Sequence, residues 1–152
     1  MALVTDELQK LINRHSDIVD FGTVDDAVDE EWILSAESAL GRRLPDSYKW
    51  FLRQYAGGEV GGEEIYSIYG MPFESVNGGD IVFQHLMNRK SGVLDDAKLV
   101  VSETDSGETY FFDYDDFQQG ECPIKLRLPS GEAVPYASDF FEFLTKRIAA
   151  HS

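Results

Sequence analysis

The chain has 152 residues, of which 28 are acidic and 13 are basic, so its formal net charge is −15 at pH 7. This charge argues against nucleic acid or an anionic membrane as a direct ligand and favours a basic protein partner, unless the acidity serves only solubility. No apolar run approaches the roughly 18 residues of a membrane span. The N-terminal residues lack the layout of a signal peptide, and Cys122 is the only cysteine, so no internal disulfide can form. These two observations predict a cytoplasmic protein.

Two helices joined by a tight corner are predicted within residues 32–58. Gly41 follows the apolar stripe of the first helix, where a helix C-terminus favours a residue that tolerates positive φ. Pro45 suits the first turn of the second helix, because its missing N–H is not needed there. Gly57 and Gly58 end that helix. Before the corner, an apolar stripe within residues 4–15 predicts an N-terminal helix.

The second half of the chain is predicted to contain most of the strands. Strands are predicted at residues 64–69, 98–103, 108–114, 124–128 and 132–135, and helices at residues 80–92 and from the cap Ser138 onward. Both faces of residues 108–114 are bulky, so we expect this strand to be central. The length predicts one domain, residues 1–152. We expect six apolar residues to lie in its core: Trp32, Leu40, Phe51, Leu52, Phe140 and Leu144.

Few residues are candidates for catalysis. Asp113, Asp115 and Asp116 follow a strand, where carboxylates can bind Mg²⁺, but such residues also form turns. No phosphate-binding glycine loop, HExxH sequence or calcium loop accompanies them. The histidines, residues 15, 85 and 151, lie far apart in the sequence, and Cys122 is expected to pack as a small apolar residue. We therefore expect no catalytic residue, metal or cofactor.

The corner and the segments after it resemble the SUKH superfamily, the Smi/Knr-like group. The resemblance begins with Trp32-Ile33, Glu37, Leu40-Gly41, Leu44-Pro45, Tyr48, Phe51-Leu52 and Gly57-Gly58. It continues through the strand ending near Asp113, Pro123 at the start of another strand, and residues 140–144 of the closing helix. The resemblance covers about residues 29–149 and implies a single α+β domain, with N-terminal helices and a C-terminal helix packed on a largely antiparallel sheet.

The resemblance also implies a function without catalysis. Bacterial members resemble immunity proteins that neutralise a cognate toxin, often a nuclease, whereas eukaryotic relatives look like scaffolds in cell-wall signalling. We therefore expect an antitoxin that binds a basic toxin domain and blocks it by occlusion. An intracellular scaffold is the alternative, and a carboxylate metalloenzyme is a third, less favoured hypothesis.

Local clusters of carboxylates predict the surface that meets this partner. Helix capping accounts for Asp29, for example, but not for the acidic residues just before it. Tyr66 and Tyr69 are expected to add aromatic anchors of the kind that interfaces favour, although at least one of them is expected to pack in the core. The predicted partner-binding residues are Asp25, Asp26, Asp29, Glu30, Glu59, Glu63, Glu64, Tyr66, Asp115 and Asp116.

Overall fold

A computed structural model describes residues 2–73, 76, 78–92 and 94–152. Within these residues the helices are α1 (Ala2–Arg14), α2 (Glu30–Leu40), α3 (Asp46–Tyr55), α4 (Ile81–Ser91) and α5 (Phe140–His151). The strands are β1 (Val19–Phe21), β2 (Gly58–Val60), β3 (Glu63–Ile65), β4 (Lys98–Glu103), β5 (Thr109–Asp113), β6 (Ile124–Arg127) and β7 (Ala133–Ala137). No helix among the described residues is both long and apolar enough to cross a membrane.

The predicted corner between α2 and α3 is confirmed. Gly41 has a φ of 73°, in the left-handed region, and its N–H donates to the carbonyl of Glu37. The Glu37 carboxylate then accepts a hydrogen bond from the N–H of Leu44 at 2.8 Å, which closes the corner from within. Pro45 precedes the first residue of α3 as its N-cap. The far end of α3 differs from the prediction, because Ala56, with a φ of 65°, forms the C-cap before Gly57.

Two antiparallel sheets form the β layer. The small sheet has the strand order β1-β2-β3 and the large sheet β4-β5-β6-β7, so β5 is internal as predicted. Strand β3 is shorter than predicted and ends at Ile65. After it, the N–H of Tyr66 donates to the carbonyl of Val101 at 2.7 Å, and the Ser102 hydroxyl donates to the carbonyl of Glu64 at 2.8 Å. These two bonds join the small sheet to the large one at a bulge in β4.

The core lies between the helices and the sheets and is strongly aromatic. Tyr48 and Phe51 of α3 contact Phe140 of α5, each with ring centroids 5.1 Å apart, and Tyr48 also packs on Phe112 of β5. The α+β prediction is therefore confirmed. Five of the six predicted core residues are buried: Leu40, Phe51, Leu52, Phe140 and Leu144.

Trp32 differs from this prediction because it is only half-buried. Its neighbour Ile33 occupies the buried stripe of α2, and one residue is a rotation of about 100° around a helix. The Trp32 ring therefore lies at the rim of the core, where it packs against Phe73 with ring centroids 5.6 Å apart.

A buried serine connects the starts of α3 and α5. The hydroxyl of Ser47, which has 0% exposure, donates to the Glu121 carboxylate at 2.8 Å and accepts from the N–H of Phe140 at 3.1 Å. The same carboxylate accepts from the N–H of Ser47 at 2.8 Å, so a residue far along the chain caps α3. The cap of α5 is Asp139 and not the predicted Ser138, because the Asp139 carboxylate accepts from the N–H of Glu142.

Replacing Phe51 with Ala should cost about 3–5 kcal/mol of unfolding free energy, because the ring is fully buried and its removal leaves a cavity. Leu34→Ala is the control, since Leu34 is 63% exposed on α2 and its loss should cost less than about 0.5 kcal/mol. Urea denaturation of both variants measures the difference. Equal stabilities would show that Phe51 does not support the core.

Replacing Ser47 with Ala should cost about 1–3 kcal/mol, because the Glu121 carboxylate loses a donor and the buried N–H of Phe140 loses its acceptor. Ser106→Ala, in the exposed turn between β4 and β5, is the matched control. Denaturant unfolding of the two variants compares them. A Ser47→Ala protein as stable as the control would mean that this connection contributes nothing.

Candidate protein-binding surface

The carboxylates after β5 are held by two lysines. Asp113 is buried and accepts from the ammonium groups of Lys98 at 2.6 Å and Lys125 at 2.5 Å. Burial alone would raise the pKa of Asp113, but the bonds from Lys125 and Lys98 lower it below its usual value. Asp115 lies 2.9 Å from Lys98 and Asp116 lies 3.2 Å from Lys125. This cluster connects β4, β5 and β6, and its lysines offset much of its negative charge.

Among the described residues, no group of three or more His, Cys, Asp or Glu side chains could hold a metal ion. Cys122 is fully buried, and burial raises the pKa of its thiol to about 12. Its thiol donates to the carbonyl of Asp113 at 3.2 Å, as expected for a packed structural residue.

Three exposed carboxylates lie side by side across the small sheet. Asp20 of β1 is directly opposite Glu59 of β2, and Glu59 is directly opposite Glu64 of β3. We call Asp20, Glu59 and Glu64 the carboxylate row. On either side of Asp20, the Gly61 N–H donates to the carbonyl of Ile18 and the Gly22 N–H donates to the carbonyl of Gly57. Because hydrogen-bonded and non-hydrogen-bonded pairs alternate along an antiparallel ladder, Asp20 and Glu59 form a hydrogen-bonded pair.

The close pair of the row is therefore Glu59 and Glu64. They form a non-hydrogen-bonded pair, in which the Cα atoms are about 4.5 Å apart and the side chains approach closely. Among the described residues, no member of the row forms an ion pair with Lys, Arg or His. Like charges directly opposite each other destabilise a sheet. The row thus imposes a cost on folding that no cation of the described chain offsets.

Glu63 belongs to a different environment from its neighbour Glu64. Successive strand residues point to opposite faces, and Glu63 points towards α5. There its carboxylate accepts from Arg147 and lies 3.0 Å from the His151 ring. Burial alone would raise the pKa of Glu63, but these hydrogen bonds lower it below its usual value. Glu63 therefore joins the β2–β3 hairpin to the C-terminal helix.

Of the four predicted acidic residues within residues 25–30, namely Asp25, Asp26, Asp29 and Glu30, the fold uses two. Asp26 accepts from the N–H and the hydroxyl of Thr23, at 3.1 and 3.3 Å, and Glu30 pairs with Arg53. That hydrogen-bonded pairing lowers the pKa of Glu30. Asp25 and Asp29 are exposed and form no ion pair within the described residues. Asp29 occupies the N-cap position of α2, as predicted, but its side chain caps nothing.

A small cavity of about 180 Å³ lies between residues 26–32 and residues 68–70. Asp29, Trp32 and Tyr69 line it. The Tyr69 hydroxyl donates to Glu64 at 2.9 Å and accepts from the N–H of Gly79 at 2.8 Å. We call the row together with Asp29, Trp32 and Tyr69 the acidic face. It combines unpaired carboxylates with aromatic side chains at its rim.

The two tyrosines of this region, Tyr66 and Tyr69, lie in different environments. Tyr66 is only 8% exposed, and its carbonyl accepts from the Tyr48 hydroxyl at 2.6 Å, so it is a core residue and not an anchor for a partner. Tyr69 is 41% exposed and lies on the surface. Asp20 was missed by the sequence analysis. The alternation of Val19, Asp20 and Phe21 and the Gly61-Gly62 turn were the available signals.

The fold is that of an α+β domain whose helices cover antiparallel sheets, and comparison with known proteins gives its family. A family model described as SMI1-KNR4 cell-wall matches residues 30–144. The chain therefore belongs to the SMI1-KNR4 family of the SUKH superfamily. Glu59, Glu64 and Tyr69 lie inside the matched span, whereas Asp20, Asp25 and Asp29 precede it. A search of curated proteins found no match.

Two glutamates of the β2–β3 hairpin should respond oppositely to neutralisation. Glu63→Gln should cost about 1–3 kcal/mol at neutral pH, because Arg147 loses its charged partner. Glu59→Gln should be neutral or stabilising by up to about 1 kcal/mol, because it relieves repulsion from Asp20 and Glu64. Denaturant unfolding of both variants measures these changes.

The loss in Glu63→Gln should also depend on pH in one direction. The pKa of Glu63 is lowered in the folded state, so its contribution is complete above the unfolded value of about 4.3 and disappears as pH falls through the folded pKa. The stabilities of wild type and variant should therefore converge below about pH 4. A difference that stays constant between pH 7 and pH 3 would contradict this account.

Proposed function

We propose that this protein is an immunity protein that binds a basic toxin domain, such as a nuclease, and neutralises it by occluding its active surface without catalysis. Membership of the SMI1-KNR4 family is consistent with an immunity-type role. The observation that supports the proposal most directly is the carboxylate row, three aligned acidic side chains that no described cation pairs with.

The physical argument begins with the toxin. A nuclease presents positive charge to the phosphates of its substrate. An aligned row of carboxylates offers such a surface negative charges at regular spacing, since neighbouring strands are about 4.8 Å apart. Association steered by opposite charge is fast, and speed matters when the target is lethal to the cell that makes it.

The carboxylate row also has a stability cost that a partner removes. Like charges placed directly opposite each other destabilise a sheet. Lysines or arginines of a bound toxin would turn this repulsion into attraction. Functional surfaces commonly keep such costs, because the residues that bind best are not those that stabilise the free protein.

Aromatic residues at the rim supply apolar contact area. Tyr69 and the half-buried Trp32 flank the small cavity, and the exposed Met71 follows two residues after Tyr69. Tyr, Trp and Met are enriched in protein interfaces, and the first two dominate binding hot spots. A toxin side chain entering this cavity would contact Trp32 and Tyr69 beside the Asp29 carboxylate.

The test has two stages. A pull-down from the native host with mass spectrometry identifies the partner, and a single basic toxin is the expected result. Stopped-flow association kinetics then compare Glu59→Lys with Glu132→Lys, which makes the same charge change in the distant β6–β7 turn. Reversal of Glu59 should slow association and flatten its salt dependence more than reversal of Glu132 does. Denaturant unfolding of both variants checks that each one is folded.

Two results would reject this proposal. Capture of several unrelated proteins would favour a scaffold. Association with the toxin that responds equally to both charge reversals would show that the row does not meet the partner, and that the acidity acts only through net charge or solubility.

A further inference from the structure

The outer edge of β1 is open. Since Asp20 is hydrogen-bonded to Glu59 within the ladder, the backbone groups of its neighbours Val19 and Phe21 point away from β2. The N–H of Val19 donates to the carbonyl of His15, but no described hydrogen bond uses the N–H or the C=O of Phe21. An unpaired N–H and C=O on one edge residue are the groups that a further strand requires.

The edge strand at the opposite end of the β layer, β7, is protected against pairing with a further strand, whereas β1 is not. In the edge strand β7, Pro135 has no N–H, and the Lys146 ammonium occupies the carbonyl of Tyr136 at 2.6 Å. Proline and lysine are residues that proteins place at edges to prevent pairing. Strand β1, with the sequence Val19, Asp20 and Phe21, has neither.

A cavity of about 400 Å³ lies beside β1 and is lined by residues of β1, α1 and the end of α3. Three carboxamide side chains line it, those of Gln9, Asn13 and Gln54, together with apolar groups that include Phe21 and Tyr55. Although the chain has 28 acidic and 13 basic residues, no charged residue is among the described residues that line this cavity. The volume is in the range of ligand sites, about 300–1,000 Å³.

The chemistry of this site indicates a peptide. Carboxamides donate and accept hydrogen bonds as a peptide group does, and the free N–H and C=O of Phe21 match an extended backbone. A charged side chain entering the cavity would lose its hydration without gaining a partner. We propose that the edge of β1 and the adjoining cavity bind an extended, uncharged peptide segment of another protein, which pairs with β1 as a fourth strand of the small sheet.

This inference does not rest on the proposed toxin partner, and its test uses peptides. A displayed library of random decapeptides is selected against the full chain, and enriched peptides are synthesised as probes. We expect uncharged sequences rich in β-branched and aromatic residues. Binding should slow hydrogen exchange at the Phe21 amide, which exchanges readily in the free protein, and change exchange at the already paired Asp20 amide much less.

Isosteric variants locate the peptide. Gln54→Glu should weaken binding roughly tenfold to hundredfold, because the new charge is left unpaired in the cavity. Gln118→Glu makes the same change on an exposed turn and should have little effect. Asn13→Asp, on α1, is a second variant if Gln54→Glu impairs folding. The proposal is overturned if no peptide is enriched, if Phe21 exchange is unchanged by bound peptides, or if the cavity variants bind them as the control does.

Discussion

The structure depends on the hydrogen bonds around Ser47, where three distant parts of the chain meet. The Glu121 carboxylate caps α3 through Ser47, and the same hydroxyl receives the first N–H of α5. Burial raises the pKa of Glu121 above its usual value, and the hydrogen bonds from Ser47 offset only part of this rise. With these polar groups bonded, Tyr48 and Phe51 on α3 meet Phe140 on α5 in the aromatic core.

The acidic residues divide into those that form ion pairs within the fold and those that do not. Asp113 between Lys98 and Lys125, and Glu63 beside Arg147, are acidic residues whose charge stabilises the fold. The carboxylate row is the opposite case, because its members repel one another and form no ion pair within the described chain. A net charge of −15 therefore contains carboxylates that the fold pairs with cations and carboxylates that no described cation pairs with.

The two candidate binding regions use different parts of the same strand. Asp20 contributes its side chain to the carboxylate row, whereas Phe21 contributes an open backbone edge beside the uncharged cavity. In the two proposals, long-range attraction guides a partner to the first region and short-range hydrogen bonding holds a peptide at the second. Both regions depend on β1, which precedes the span matched by the family model.

The sequence by itself determined the α2–α3 corner, the β4–β5 hairpin and most of the core, because caps, turns and apolar periodicity depend on residues that are close in the chain. It also identified Glu59 and Glu64 as candidate partner residues. Only the tertiary structure decided which carboxylates are free: it paired Glu63 with Arg147, buried Tyr66, and placed Asp20 beside Glu59. Such pairings join residues far apart in sequence, and strand register across separate segments is not encoded in local periodicity.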